Sequence, residues 1–294
     1  MESSKVYFIK DITTDNLIKI YEQLSFELKG KVAVKVHSGE KGNQNFLHPE
    51  FVKPLVDKVK GTIVECNTAY AGERNETKKH QALMDYHGWT KYFEVDIMDA
   101  EGEDLVLNIP KGKQIKENYV GKNLQNYDSM LVISHFKGHP MGGYGGAIKQ
   151  LSIGCASTAG KSYIHSAGKV TDQNILWSNI AKQNDFLEAM ADSALSVVDF
   201  FKGNIAYVNI MCNMSVDCDC CSVAEDPCLK DIGILASLDP VAIDQACIDL
   251  VRSSEDPGKD HFLERVTTRN GTHTIDAASE IGLGNKTYTL IEVK

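Results

Sequence analysis

Short β-branched apolar runs alternate with amphipathic helical patterns along this chain, and that alternation restricts it to sheets covered by helices. Residues 6–9 read as a strand, 14–28 as an amphipathic helix, 31–37 as a second strand, and 49–60 as a helix with Pro49 in its first turn. A third strand over 62–66, a polar helix over 73–87, strands over 94–98 and 105–109, and a strong strand over 129–134 continue the pattern. Beyond a glycine-rich turn come helices over 147–153 and 185–201 and a strand over 205–211. A strand over 232–236 leads into a helix capped by Asp239 and opened by Pro240, and a helix over 274–281 and a strand over 288–293 follow. This order predicts an α/β fold with mixed, largely parallel sheets and helices on both faces. Two subdomains are expected, 1–126 and 127–294, the second carrying the glycine–histidine turn and a cysteine-rich loop.

That loop follows the strand over 205–211 and holds five of the eight cysteines: Cys212, Cys218, Cys220, Cys221 and Cys228. Thiolates gathered so closely repel one another and have little apolar surface to bury, so a soft cation is needed to offset the cost. An iron–sulfur cluster or a zinc ion does this by direct sulfur coordination. Cys218 and Cys221 have the spacing at which a tight turn aims two sulfurs at one ion. The regular ferredoxin spacing and a second zinc-ribbon pair are both absent. Two disulfides, or reduced thiols in a surface turn, would also account for the cluster. The first ten residues do not read as a signal peptide and no apolar run is long enough to span a bilayer, so a cytoplasmic protein without membrane contact is expected. In a reducing compartment the disulfide reading weakens. A formal charge of −9 argues against a nucleic-acid surface and leaves small molecules or proteins as partners.

The segment 134–149 lies between a strand and a helix, where open α/β sheets bind ligands. Gly143, Gly145 and Gly146 allow backbone amides to turn towards an anion, and Lys149 one turn inside the helix supplies charge. The segment fails the phosphate-loop pattern, because Gln150 follows Lys149, and it lacks the third glycine of the dinucleotide fingerprint at Ile148. A tight turn whose glycines only permit positive φ is the competing reading. His135 and His139 are candidate general acid, base or metal-ligating groups beside Lys149. Lys35, His37, Asn67 and Arg74 lie at or after earlier strand ends that a parallel sheet would bring to the same edge, forming a pocket for a small anionic substrate. Cys155 reads as core filler. Asp239-Pro240 reads as a helix cap, Asp244 and Asp249 as a polar stripe, and Asp231 as an acceptor that orients a metal ligand.

Lys35-Val36-His37-Ser38-Gly39-Glu40, Asn67-Thr68-Ala69-Tyr70, Arg74, Thr77, His80, the segment 135–149, Cys218-Asp219-Cys220-Cys221 and the segment 231–246 together resemble the domain of unknown function 362 family. The resemblance covers nearly the whole chain and implies an iron–sulfur or ferredoxin-like protein, although the ferredoxin insert of many members is missing here. The combined expectation is a metal-binding protein, with an iron–sulfur cluster of the [4Fe–4S] kind on the loop cysteines and a redox reaction on a small anion. Catalysis would fall to His135, His139 and Lys149, and an electron-transfer protein would be the partner. A structural zinc loop beside a hydrolytic or proton-transfer site, and a non-catalytic binding protein, are the alternatives.

Overall fold

Strands from both halves of the chain enter one eight-stranded sheet in the computed structural model, which describes residues 3–102 and 104–294. The first half contributes β1 (Ser4–Ile9), α1 (Thr14–Glu22), β2 (Val32–Lys35), α2 (Pro49–Val59), β3 (Thr62–Glu65), α3 (Thr77–Tyr86), α4 (Trp89–Tyr92) and β4 (Val95–Ile97). A hairpin of β5 (Asp104–Asn108) and β6 (Glu117–Gly121) precedes β7 (Ser129–His135), and a small hairpin of β8 (Lys137–His139) and β9 (Gly143–Gly145) follows it. Then come α5 (Ala147–Cys155), α6 (Thr158–His165), α7 (Gln183–Phe200), β10 (Ile205–Met211), β11 (Gly233–Ser237), α8 (Pro240–Ser253), α9 (Lys259–Thr268), α10 (His273–Glu280) and β12 (Tyr288–Glu292).

The sheet order is β12-β1-β11-β10-β7-β2-β3-β4, and β11 alone among its described strands runs against the rest. The architecture is therefore mixed and mostly parallel, as the strand–helix alternation predicts. β2 and β7 pair directly, so the expected boundary near residue 127 lies at the entry to a strand inside this sheet.

Period-two alternation sorts side chains between the two faces. Val32, Val34, Ile63, Leu131 and Ile133 pack beneath Leu17 and Ile20 of α1 and Val52 and Leu55 of α2. Ala33, Val64, Met130 and Val132 face Leu151 of α5, Ala191 of α7 and Ile243 of α8. Lys35 shares the phase of Ala33 and thus points under α5, where its side chain is 0% exposed.

The differences from the expected elements have local causes. α1 ends at Glu22, six residues before the expected end, because the chain turns through positive φ at Ser25. Leu24, Phe26 and Leu28 still pack on the same core, so their apolar character extended the helical pattern beyond the helix. α6 and α9 are additional helices. α9 buries only Phe262 and Val266, one turn apart, which leaves a faint amphipathic signal.

Candidate functional site

Because β2, β3, β7 and β10 are parallel, their carboxyl ends deliver Lys35 and His37, Glu65 and Cys66, His135 and Lys137, and the cysteine loop to one edge of the sheet. The chain steps outward from β2 to β3 and β4, then returns to β7 on the other side of β2. That reversal makes the edge between β2 and β7 a topological switch point, where open α/β sheets leave a crevice.

At this edge the ligating atoms of His139, Cys218 and Cys220 all lie within 4.8 Å of one another. The turn that aims the thiols is held by backbone contacts: Cys221 N–H donates to Cys218 O at 2.9 Å, and Asn43 Nδ2 donates to Cys221 O at 2.9 Å. Glu40 N–H donates to Asp219 O at 2.8 Å. The Asp219 carboxylate is clamped between His135 Nδ1 at 2.9 Å and Lys137 Nζ at 2.8 Å. Burial alone would raise its pKa, but His135 and Lys137 hold it well below the usual carboxylate range. Gly138 lets β8 run close to the loop: a Cβ there would lie 2.2 Å from Val216 O.

Cys218 is buried, which favours the neutral thiol, yet the Cys220 thiol, Lys149 and His139 together push its pKa well below the ordinary value. Lys149 Nζ stands 3.8 Å from its sulfur, and His37 also hydrogen-bonds to it. Burial and Arg74 lower His37 to about 4, so that ring is neutral at pH 7. His139 Nδ1 accepts from the backbone N–H groups of Met141 at 3.1 Å and Gly142 at 2.8 Å, leaving Nε2–H to face Cys218. Coordination through Nε2 requires the ring to release that proton or those amide contacts, consistent with proton release when thiols and imidazoles bind metal.

Beside the sulfurs lies a cavity of about 250 Å³. Lys35, Arg74, Lys149 and Lys161 bring positive charge to its wall, Glu65 brings a carboxylate, and Cys220 closes one part of it. Lys35 Nζ pairs with Glu65 Oε2 at 2.5 Å, and Ser38 donates to Glu65 Oε1 from its backbone N–H at 2.9 Å and from its hydroxyl at 3.0 Å. Arg74 reaches Glu40 at 3.3 Å, Glu65 at 3.7 Å and Tyr70 Oη at 2.8 Å. Burial would raise the Glu65 pKa, but Lys35, His37 and Arg74 hold it well below the carboxylate range. Met141, Ile153, Leu176 and Trp177 supply apolar wall. Cations outnumber carboxylates on this wall, and the other flank is apolar.

The expected site residues separate into groups. Lys35, His37, Arg74, His139 and Lys149 line the cavity, and Cys218 and Cys220 converge beside it. Cys221 hydrogen-bonds through its thiol to Cys220. Cys212 instead packs in the core under α1 and α2, where burial pushes its thiol up to about 12. The Cys228 thiol donates to Met214 O at 3.4 Å. His135 has both ring nitrogens engaged, with Asp219 and with Cys212 O at 2.6 Å, so it positions the loop. Asn67 bonds to Thr77 and His80.

Gly143 and Gly145 lie in β9 and Gly146 caps the start of α5, but the first amides of that helix are already occupied. Asp244 accepts from Ala147 N–H at 2.8 Å and Ile148 N–H at 3.0 Å, and from Asn209 Nδ2 at 2.8 Å. Glu65, Lys161 and His165 enter the site without having been singled out in the sequence, and Lys137 and Asp219 were named there only within the motifs that carry the family resemblance. Glu65 has the phase of Ile63, on the face under α1 and α2, so period-two alternation carries no signal for its pairing with Lys35. Burial raises the Asp244 pKa from 3.8 to about 6, against the pull of those donors. A raised folded pKa means that this carboxyl's stabilisation is complete below pH 3.8 and is lost as pH climbs through about 6. In paired denaturant melts the stability of the native protein relative to Asp244→Asn is expected to fall by about 2–3 kcal/mol across that window, and a constant difference would contradict the assignment.

A family model described as Domain of unknown function (DUF362) matches residues 32–249. No curated protein matches the chain. Among solved structures, the lactate racemase apoprotein from Thermoanaerobacterium thermosaccharolyticum shares 12% identity at a TM-score of 0.40, covering 69% of this chain and 50% of that one. A Thermotoga maritima protein solved by the Northeast Structural Genomics Consortium shares 8% identity at a TM-score of 0.39, covering 91% of this chain and 58% of that one. The chain thus spans little more than half the length of these proteins. Among the described residues, no helix is long and apolar enough to cross a membrane.

Proposed function

We propose that this chain, which belongs to the Domain of unknown function (DUF362) family, is a metal-dependent protein that holds a small anion beside a soft-metal centre built on Cys218, Cys220 and His139. The observation that carries the reading is the convergence of those three donors within 4.8 Å next to the cavity rich in cations. Tetrahedral zinc with sulfur at roughly 2.3 Å places neighbouring donors roughly 3.8 Å apart. The existing separation closes to that with small side-chain movements. The depressed pKa of Cys218 supports it as the thiolate that a soft ion requires.

A bound ion would polarise an oxygen of the anion, whereas a cluster would exchange electrons with it. Around either group the chain's own residues have definable tasks. Lys149 balances sulfur or ligand charge, Asp219 fixes the loop through His135 and Lys137, and neutral His37 is available to move a proton.

The contact between the Cys220 and Cys221 thiols favours a second reading, an iron–sulfur cluster held by Cys218, Cys220, Cys221 and His139, with redox chemistry and an electron-transfer partner. Cys221 separates the two. Metal and acid-labile sulfide are to be assayed in anaerobically purified native protein and in Cys221→Ser. The single-ion centre predicts about one metal per chain, no sulfide, and near-native metal in the variant. Sulfide matching the metal, lost with it in Cys221→Ser, supports the cluster; protein free of metal overturns both.

A further inference from the structure

On the cavity wall away from the cysteine turn lies a pair of residues that the metal centre does not use. Lys161 and His165 are four residues apart on α6, so both project from one helix face, and both line the cavity. Ser157 fixes the start of that helix, its hydroxyl accepting from Gly160 N–H at 3.1 Å.

Lys161 is buried, and its Nζ donates to Ala156 O at 2.5 Å. Among the described residues no carboxylate lies within ion-pair distance of it, unlike Lys35, which is neutralised by Glu65. Burial lowers its pKa despite the opposing pull of Cys66 and Asp99. A desolvated amine facing a cavity is the arrangement that makes lysine a nucleophile towards carbonyl carbon.

His165 completes the pair. Its Nδ1 lies 2.7 Å from Lys161 O and so carries the ring proton, since a carbonyl can only accept. The ring stacks on Phe186 with centroids 4.8 Å apart, which fixes its plane. Nε2 is then the basic nitrogen, and burial lowers the ring to about 4, keeping it neutral at pH 7.

We infer that Lys161 forms an imine with a small 2-oxo carboxylate bound in the cavity, with His165 Nε2 carrying the protons. The lone pair of Nζ forms the C–N bond while the carbonyl π pair moves to oxygen. His165 relays one amine proton to that oxygen, and the second accompanies it as water leaves and the C=N bond closes. Amine and carbonyl thus give imine and water with no change of oxidation state. The carboxylate is the part that the remaining cations attract, so this inference rests on the anion-cavity reading.

The test uses the metal-loaded protein with pyruvate and cyanoborohydride, followed by peptide mapping, and uses propanoate as a ligand without the 2-oxo group. Trp177, on the cavity wall and 59% exposed, reports binding of either acid by fluorescence. One reduced adduct per chain on Lys161 is expected, absent in Lys161→Arg and formed roughly a hundredfold more slowly in His165→Gln, the low end of what a positioned acid–base group contributes. Binding of both acids without an adduct, or with the adduct on another lysine, overturns the imine and leaves the anion reading standing. Failure of both acids to bind removes the anion reading and the imine with it. The adduct position in the native protein decides the matter even where a variant does not fold.

Discussion

Cys218→Ser is expected to lose essentially all bound metal, reducing stoichiometry from about one ion per chain to background. The serine hydroxyl is close to isosteric but hard and neutral, whereas the Cys220 thiol, Lys149 and His139 push the pKa of the native thiol well down against the effect of burial. Removing it takes away both a ligand and the charge around which those donors are arranged. His139→Ala should weaken metal retention less, because the ring already gives Nδ1 to the Met141 and Gly142 amides. Cys228→Ser should retain metal, since that thiol donates to Met214 O. Elemental analysis of the three variants after oxygen-free purification checks this order. Equal loss in Cys218→Ser and Cys228→Ser would mean that the loop responds to any lost thiol.

Glu65→Ala is expected to destabilise the protein by about 3–5 kcal/mol, the range for breaking a buried ion pair from one side. Lys35 is fully buried and has Glu65 at 2.5 Å as its carboxylate partner, and Arg74 shares the same group at 3.7 Å. The substitution leaves Lys35 beneath α5 with an unmet desolvation cost, takes one of two carboxylates from Arg74, which keeps Glu40, and strips Ser38 of its acceptor. Lys35→Met combined with Glu65→Leu should cost much less, because replacing both charges with apolar groups of similar volume removes the desolvation terms together. The Glu65 carboxyl is held below its unfolded pKa, so its stabilisation is present above about pH 4.5 and is lost as pH falls. Denaturant titration of the single and double variants separates pairing from packing. A Glu65→Ala protein within 1 kcal/mol of native stability would contradict the account.

Much of the scaffold was legible because its signals are local. Pro49 at the start of α2, the Asp239 cap with Pro240 at the start of α8, and the β-branched runs of β7 and β10 announce themselves within a few residues. Of the residues read as candidates for a site, Cys218, Cys220, His139 and Lys149 stand together in space, and Lys35, His37 and Arg74 line the cavity beside them. Spacing along the chain could not reveal that Cys212 turns into the core below α1 and α2, because that depends on how β10 ends against the sheet. Asp244 read as a polar stripe because the amides it caps lie 96 and 97 residues away. Lys161 and His165 stood in an unremarked helix and gain their meaning only from the cavity that other elements close around them.

The most direct measurement is X-ray absorption at the metal edge of protein purified without oxygen, compared with Cys218→Ser. The account predicts sulfur scatterers at roughly 2.3 Å from the metal, with that signal and the metal lost together in the variant. A spectrum containing only oxygen and nitrogen neighbours, or native protein carrying no metal at all, would contradict it.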